Sequence, residues 1–178
     1  MNKIISGSIE SLEQMIDFIT GLSDEAYMMA PKPLFNSSIG QHLRHILDVY
    51  MAIMNSDNRK EINYDIRRRG LALETVRSEG LIELNVIHQW LVTFDADLLT
   101  LTTTVQSEVS VCSEQSAQMA SSLGRELCFA SSHLTHHLAL MAAIAKFLGH
   151  EVNDELGVAP TTATFLRSQQ QKSDTCAP

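Results

Sequence analysis

The sequence predicts an all-α fold, a four-helix bundle, and three observations carry that prediction. Four segments of bundle length place apolar residues at steps of three and four, the spacing that lines one face of a helix. Only 4 prolines and 8 glycines occur in 178 residues, which leaves room for long uninterrupted helices. No linker or internal repeat divides the chain, and a hydrophobic fraction of 44% at this length suffices for one packed core.

The first helix is expected from Ile5 to Leu22, where Ile5, Ile9, Leu12, Ile16, Ile19 and Leu22 form the stripe. Gly21 and Ser23 end it, and Tyr27 to Pro33, with two prolines, reads as a loop. Ser37 or Ser38 can cap a second helix, whose stripe is Ile39, Leu43, Ile46, Tyr50 and Ile53 and which stops near Asn55-Ser56-Asp57-Asn58. Residues 56–77 are a long polar connection, too long for a meander of short loops. A third helix starts near Ser78 and buries Leu84, Ile87, Leu91, Phe94 and Leu98, with Trp90 beside that face. Residues 102–111 alternate with β-branched side chains, which predicts a short strand pairing with Ser116 to Ala120 as a hairpin between helices three and four. The fourth helix runs from about Ser122 to Leu148 on Leu127, Ala130, Leu134, Leu138, Met141, Ala145 and Leu148, and Gly149 ends it. The domain is expected over 1–167, with a flexible tail from Ser168 to Pro178. The methionines read as core filler.

A formal charge of −8 argues against non-specific attraction to nucleic acid or anionic lipid. With no signal-peptide pattern and no apolar stretch of spanning length, the expectation is a cytoplasmic protein without a membrane partner. Cys112, Cys128 and Cys176 are odd in number and unpatterned, which suits a reducing compartment, with Cys128 a buried thiol and Cys176 a free one. The sole basic run, Arg67-Arg68-Arg69, reads first as a solvated or salt-bridging segment and second as an anion clamp.

The chemical signal lies in the histidines. Of seven, five fall in two short clusters: His42 and His45 on the second helix, and His133, His136 and His137 on the fourth. His133 and His137, four apart, lie on one side of a helix about one turn from each other and can chelate one ion, leaving its other positions to a facing helix. Zinc, nickel and iron all accept imidazole nitrogen. At about 100° per residue, His42 lies about 60° and His45 about 120° from the centre of their helix's stripe, so periodicity allows either as the third ligand and slightly prefers His42 for depth. Both clusters sit at the border of the core, which suits an ion with an open coordination position. The HExxH zincin motif is absent, since Leu134 follows His133, and no Glu-x-x-His pair exists to build a di-iron site. His88 and His150 read as packing or capping residues, His150 near a helix C-terminal dipole.

Ser38-Ile39-Gly40-Gln41-His42-Leu43-Arg44-His45-Ile46-Leu47-Asp48, followed far downstream by His133-Leu134-Thr135-His136-His137, resembles the DinB-like family, which includes the YfiT-like metal-dependent hydrolases. Tyr64-Asp65-Ile66-Arg67-Arg68-Arg69 and Gly157-Val158-Ala159-Pro160-Thr161 also look like one bacterial branch of it. The resemblance spans the chain from the first helix to about Arg167. It implies up-down-down-up connectivity, a frequent homodimer, and a three-histidine metal site in which His45, not His42, joins His133 and His137. His42 and His136, close to these ligands in sequence, are the candidates for a general base beside them. Arg44, Arg67 and Arg69 read first as surface salt-bridging residues and second as groups that orient an anionic substrate. Relatives in the superfamily include transferases and isomerases that use low-molecular-weight thiols, whose metal lowers the pKa of a bound thiol or water. The expectation is thus one divalent ion serving a metal-dependent hydrolase or thiol-dependent transferase with a small-molecule substrate or thiol. The alternative is a non-catalytic dimeric bundle that uses the site for stability or sensing.

Overall fold

The computed structural model describes residues 2–56 and 60–175, so Asp57, Asn58 and Cys176 lie outside the described residues. The chain is mostly helical: α1 (Lys3–Gly21), a short α2 (Asp24–Met28), α3 (Ile39–Met54), α4 (Arg77–Val92), α5 (Leu123–Phe147) and α6 (Pro160–Thr175). Three strands, β1 (Glu61–Asn63), β2 (Thr102–Glu108) and β3 (Ser116–Ser122), form one sheet. α1 packs on α4 and α5, and α3 packs on the same two helices, so these four helices surround a common core. Leu12, Met15, Ile19, Leu43, Ile46, Leu84, Ile87, Leu91, Leu127 and Leu134 are fully buried there, the stripes that the helical spacing marks.

Four features depart from the sequence reading. First, the sheet is more than a hairpin: β2 pairs antiparallel with β3, and β1 adds in parallel on the other side of β2, Ile62 opposite Val105. A three-residue strand with one buried side chain shows too little alternation to be read from sequence. Second, the stretch from Tyr27 begins inside a helix, because Ser23 accepts from the Ala26 amide and starts α2. Third, α6 occupies 160–175, a helix whose mixed polar sequence carries little apolar periodicity. Fourth, Cys128 is exposed, on the solvent side of α5 between the buried Leu127 and Ala130 stripe. Methionine fills the core only in part: Met15 and Met141 are buried, whereas Met28, Met29 and Met119 face solvent.

By length and composition, α5 is long and apolar enough to cross a membrane, contrary to the expectation of no such stretch. Leu127, Ala130, Leu134, Leu138 and Met141 of this helix are buried in the core, and α5 packs on α1 and α3, while Phe129 and Phe147 are exposed.

Two local devices position α3, which carries the first histidine cluster. Ser38 and Gln41 form a reciprocal capping box: the Gln41 amide donates to Ser38 Oγ at 3.2 Å and the Ser38 amide to Gln41 Oε1 at 3.0 Å. That fixes the helix start four residues before His42. Within the first turn, Gly40 lies against the carbonyl of Glu74 and the Tyr27 ring, where a Cβ would collide with both. The 3-10 turn Ala72–Glu74 thereby seats directly on the first turn of α3.

Candidate metal centre

α3 and α5 pack side by side and bring the two histidine clusters together. His45, His133 and His137, each partly buried, hold one ring nitrogen apiece within 4.8 Å of the others. His45 Nε2 and His133 Nε2 are 2.8 Å apart, and the His45 ring lies 4.9 Å from that of His137. Two nitrogens bound to one tetrahedral ion at about 2.0–2.1 Å stand roughly 3.3–3.4 Å apart. The 2.8 Å pair lies inside that value and all three donors lie within 4.8 Å of one another, so ring rotations could bring them onto one ion. Three neutral imidazoles suit zinc, nickel or iron.

His42, which periodicity slightly preferred, sits one step outward: its Nδ1 is 3.2 Å from Nδ1 of His137. That contact leaves Nε2 of His137 for the cluster and orients its ring, the role usual for a group behind a metal-ligating histidine. His136 is exposed and packs against the rings of both His133 and His137. Phe129 stacks on His133 at 5.5 Å and 13°, closing one side of the cluster, and is itself backed by Tyr64. Tyr64 donates to the buried Glu126 at 2.7 Å; burial and this bond hold its hydroxyl well above the ordinary phenol range.

Burial keeps the imidazoles neutral. It lowers His45 to about 4, with the nearby Arg67 guanidinium adding to the effect, and His137 to about 3, with the neighbouring histidines adding to it. His42 and His133 are lowered by burial first and by His136 second. Neutral rings keep the lone pairs that ligation needs.

The three candidate anion-binding arginines part ways. Arg44 is committed to carboxylates, bonding Asp48 at 2.8 Å and Glu74 at 2.9 Å. Arg67 reaches over the cluster, and its Nη1 lies 2.6 Å from Nδ1 of His45. Arg69 lines a cavity of about 410 Å³ that His42, His45 and His137 also line. A second cavity, of about 360 Å³, lies between α1 and residues 150–156 and meets only His150 of the histidines. His150 donates its amide to Ala145 at the end of α5, and His88 pairs with Glu13, so neither joins the cluster.

Residues 8–172 match the model of the DinB family. The chain belongs to the DinB family. It is also similar to FK506-binding protein 5 of Rhizopus delemar, 29% identical over 113 residues, which is 61% of this chain and 28% of that protein. The chain therefore spans well under two thirds of that relative. No solved structure matches it. The DinB-family membership and the three-histidine cluster are both compatible with metal binding.

Three side chains around this DinB-family site were given no role by the sequence reading. Asp48 is buried and ties Arg44 and Arg68 together behind the histidines. Its i,i+4 spacing from Arg44 was a legible signal. Phe129 and Glu126 lie four and seven residues before His133, on its side of α5, which helical spacing alone could have flagged.

Proposed function

We propose that this DinB-family protein is a metal-dependent enzyme for a small molecule, a hydrolase or a low-molecular-weight-thiol transferase, built on an up-down-down-up four-helix bundle. The observation that carries the reading is the donor set. Among the described residues it comprises three neutral histidines with no carboxylate or thiolate in the group, beside a cavity of about 410 Å³. Three protein ligands and an adjoining cavity are the pattern of a catalytic ion, whereas structural sites are closed by a fourth ligand.

In this reading His45, His133 and His137 hold the ion, His42 fixes the ring of His137, and Phe129 keeps water from one side of His133. A divalent ion there supplies Lewis acidity and a lowered pKa for a bound water or thiol. The chain's own contribution is to keep the three rings deprotonated and aimed at one point.

The test is elemental analysis of protein purified without a histidine tag. Near-stoichiometric metal is expected in the native chain and loss in His45→Ala, His133→Ala and His137→Ala. His42→Ala should retain binding with affinity reduced about 10–100-fold, the usual cost of losing an orienting partner. Metal retained in all three ligand variants would overturn the assignment.

A further inference from the structure

Two of the arginines near the centre have found carboxylates, while Arg69 lines the cavity and Arg67 rests on His45. Arg44 bonds Asp48 and Glu74, and Arg68 bonds Asp48 and takes Glu83 with both terminal nitrogens. Arg67 makes no ion pair among the described residues; the hydrogen bond it makes runs to His45 Nδ1. A guanidinium only donates, so Nδ1 must accept, and the proton of a neutral His45 then sits on Nε2. The 2.8 Å contact from that Nε2 to His133 completes a donor chain, Arg67 to His45 to His133.

This arrangement conflicts with ligation. A histidine that binds metal through Nε2 carries its proton on Nδ1, where a hydrogen-bond acceptor normally waits. Arg67 cannot play that part. Loading the centre through His45 Nε2 therefore releases the guanidinium while leaving it tethered close by. The tether is short: Tyr64 is held by Glu126, Asp65 by Ser116, and Arg68 by Asp48 and Glu83.

The loaded centre would then carry the full charge of a divalent ion on neutral ligands, with a second cation beside it. Nothing in the donor set offsets either charge. Two adjacent cations, set at His45 beside the cavity that His45 and Arg69 line, favour an anion that touches both. A guanidinium prefers planar oxyanions, which it takes bidentately.

The geometry points to Arg67 as the anchor for an oxyanion group, a carboxylate or phosphate, of the small molecule that the metal centre accepts. The inference rests on the metal-centre reading above and deepens it by naming a substrate class. Its further content is a coupling: oxyanion and metal bind cooperatively through Arg67, each raising the affinity of the other by the same factor.

Titration with Co(II), followed by its visible spectrum, tests this on the whole chain in the presence and absence of acetate and of methylphosphonate. In the native protein, one or both oxyanions should change the Co(II) spectrum saturably and tighten Co(II) binding, and the arm that responds identifies the anion type. Arg67→Met should bind Co(II) at least as tightly in the absence of oxyanion, having lost a repelling charge. It should also need roughly tenfold or more oxyanion for the same spectral change, a size usual for coupled sites. Arg67→Lys, which keeps the charge but not the fork, should fall between. An equal oxyanion response in native and Arg67→Met protein, or no response in native protein that binds Co(II), would overturn the inference alone. Failure of native protein to bind Co(II) would sink the metal-centre reading and the inference with it.

Discussion

The two sides of α3 make opposite use of closely spaced polar residues. Toward α4 and the 3-10 turn, Arg44 and Asp48 join Arg68, Glu74 and Glu83 in a network of two guanidiniums and three carboxylates. Toward α5, His42 and His45 meet a group with no carboxylate in it, capped by Arg67. Arg67 and Arg68 are sequence neighbours, yet one is saturated with acidic partners and the other rests on a neutral ring. The first arrangement is electrically complete and serves to pin the 64–74 segment to the helices. The second has lone pairs and a cation to spare, which is what a binding site requires.

If that contrast is right, the largest effect on folding should come from the saturated side. Asp48→Ala leaves two arginines facing an emptied site whose carboxylate was 2% exposed. Breaking a buried pair from one side costs about 3–5 kcal/mol, so the urea midpoint should drop accordingly. A loss below about 1 kcal/mol, the worth of a surface pair, would show that the network contributes no more than solvent-exposed ion pairs do.

An intermediate effect should appear with pH on the histidine side. The unfolded chain titrates these histidines near 6.5, whereas the folded protein holds His45 near 4 and His137 near 3. Below 6.5 the unfolded state binds more protons, so metal-free protein should lose stability as pH falls from about 6.5 to about 4, and further toward 3. Above pH 7 this contribution is constant. Urea melts of metal-free protein between pH 7.5 and 5 should show the decline, flattened in a His45→Asn/His137→Asn variant. A midpoint that rises on acidification would contradict buried neutral rings.

The smallest effect separates the two neighbouring arginines. Arg67→Met should alter stability by no more than about 0.5 kcal/mol, as an exposed residue with no ion pair among the described residues does. Arg68→Met, which strands Asp48 and Glu83, should cost clearly more in the same thermal melt. Equal losses would erase the distinction between a structural and a binding arginine.

Much of this was legible in advance, for identifiable reasons. The long helices announce themselves by spacing: Leu12, Leu43, Leu84 and Leu127 each lie on a stripe that recurs at every turn. Ser38 and Gln41 sit at the separation a capping box demands. β1 and α6 were missed because neither carries a periodic apolar signal, and Cys128 because its apolar neighbours belong to the opposite face of the helix.

By itself, the sequence determined where the helices lie, that histidines cluster on two of them, and that zincin and di-iron motifs are absent, because all of these are properties of local spacing. Resemblance to a family chose His45 over His42. The tertiary structure alone decided what each side chain meets across the gap between elements: His45 against His133, His42 behind His137, Arg67 on a ring and Arg68 on carboxylates. Those pairings span from 20 to 95 residues of chain. They depend on how helices rotate about their axes when their stripes pack, a rotation that periodicity bounds only to the width of the apolar face.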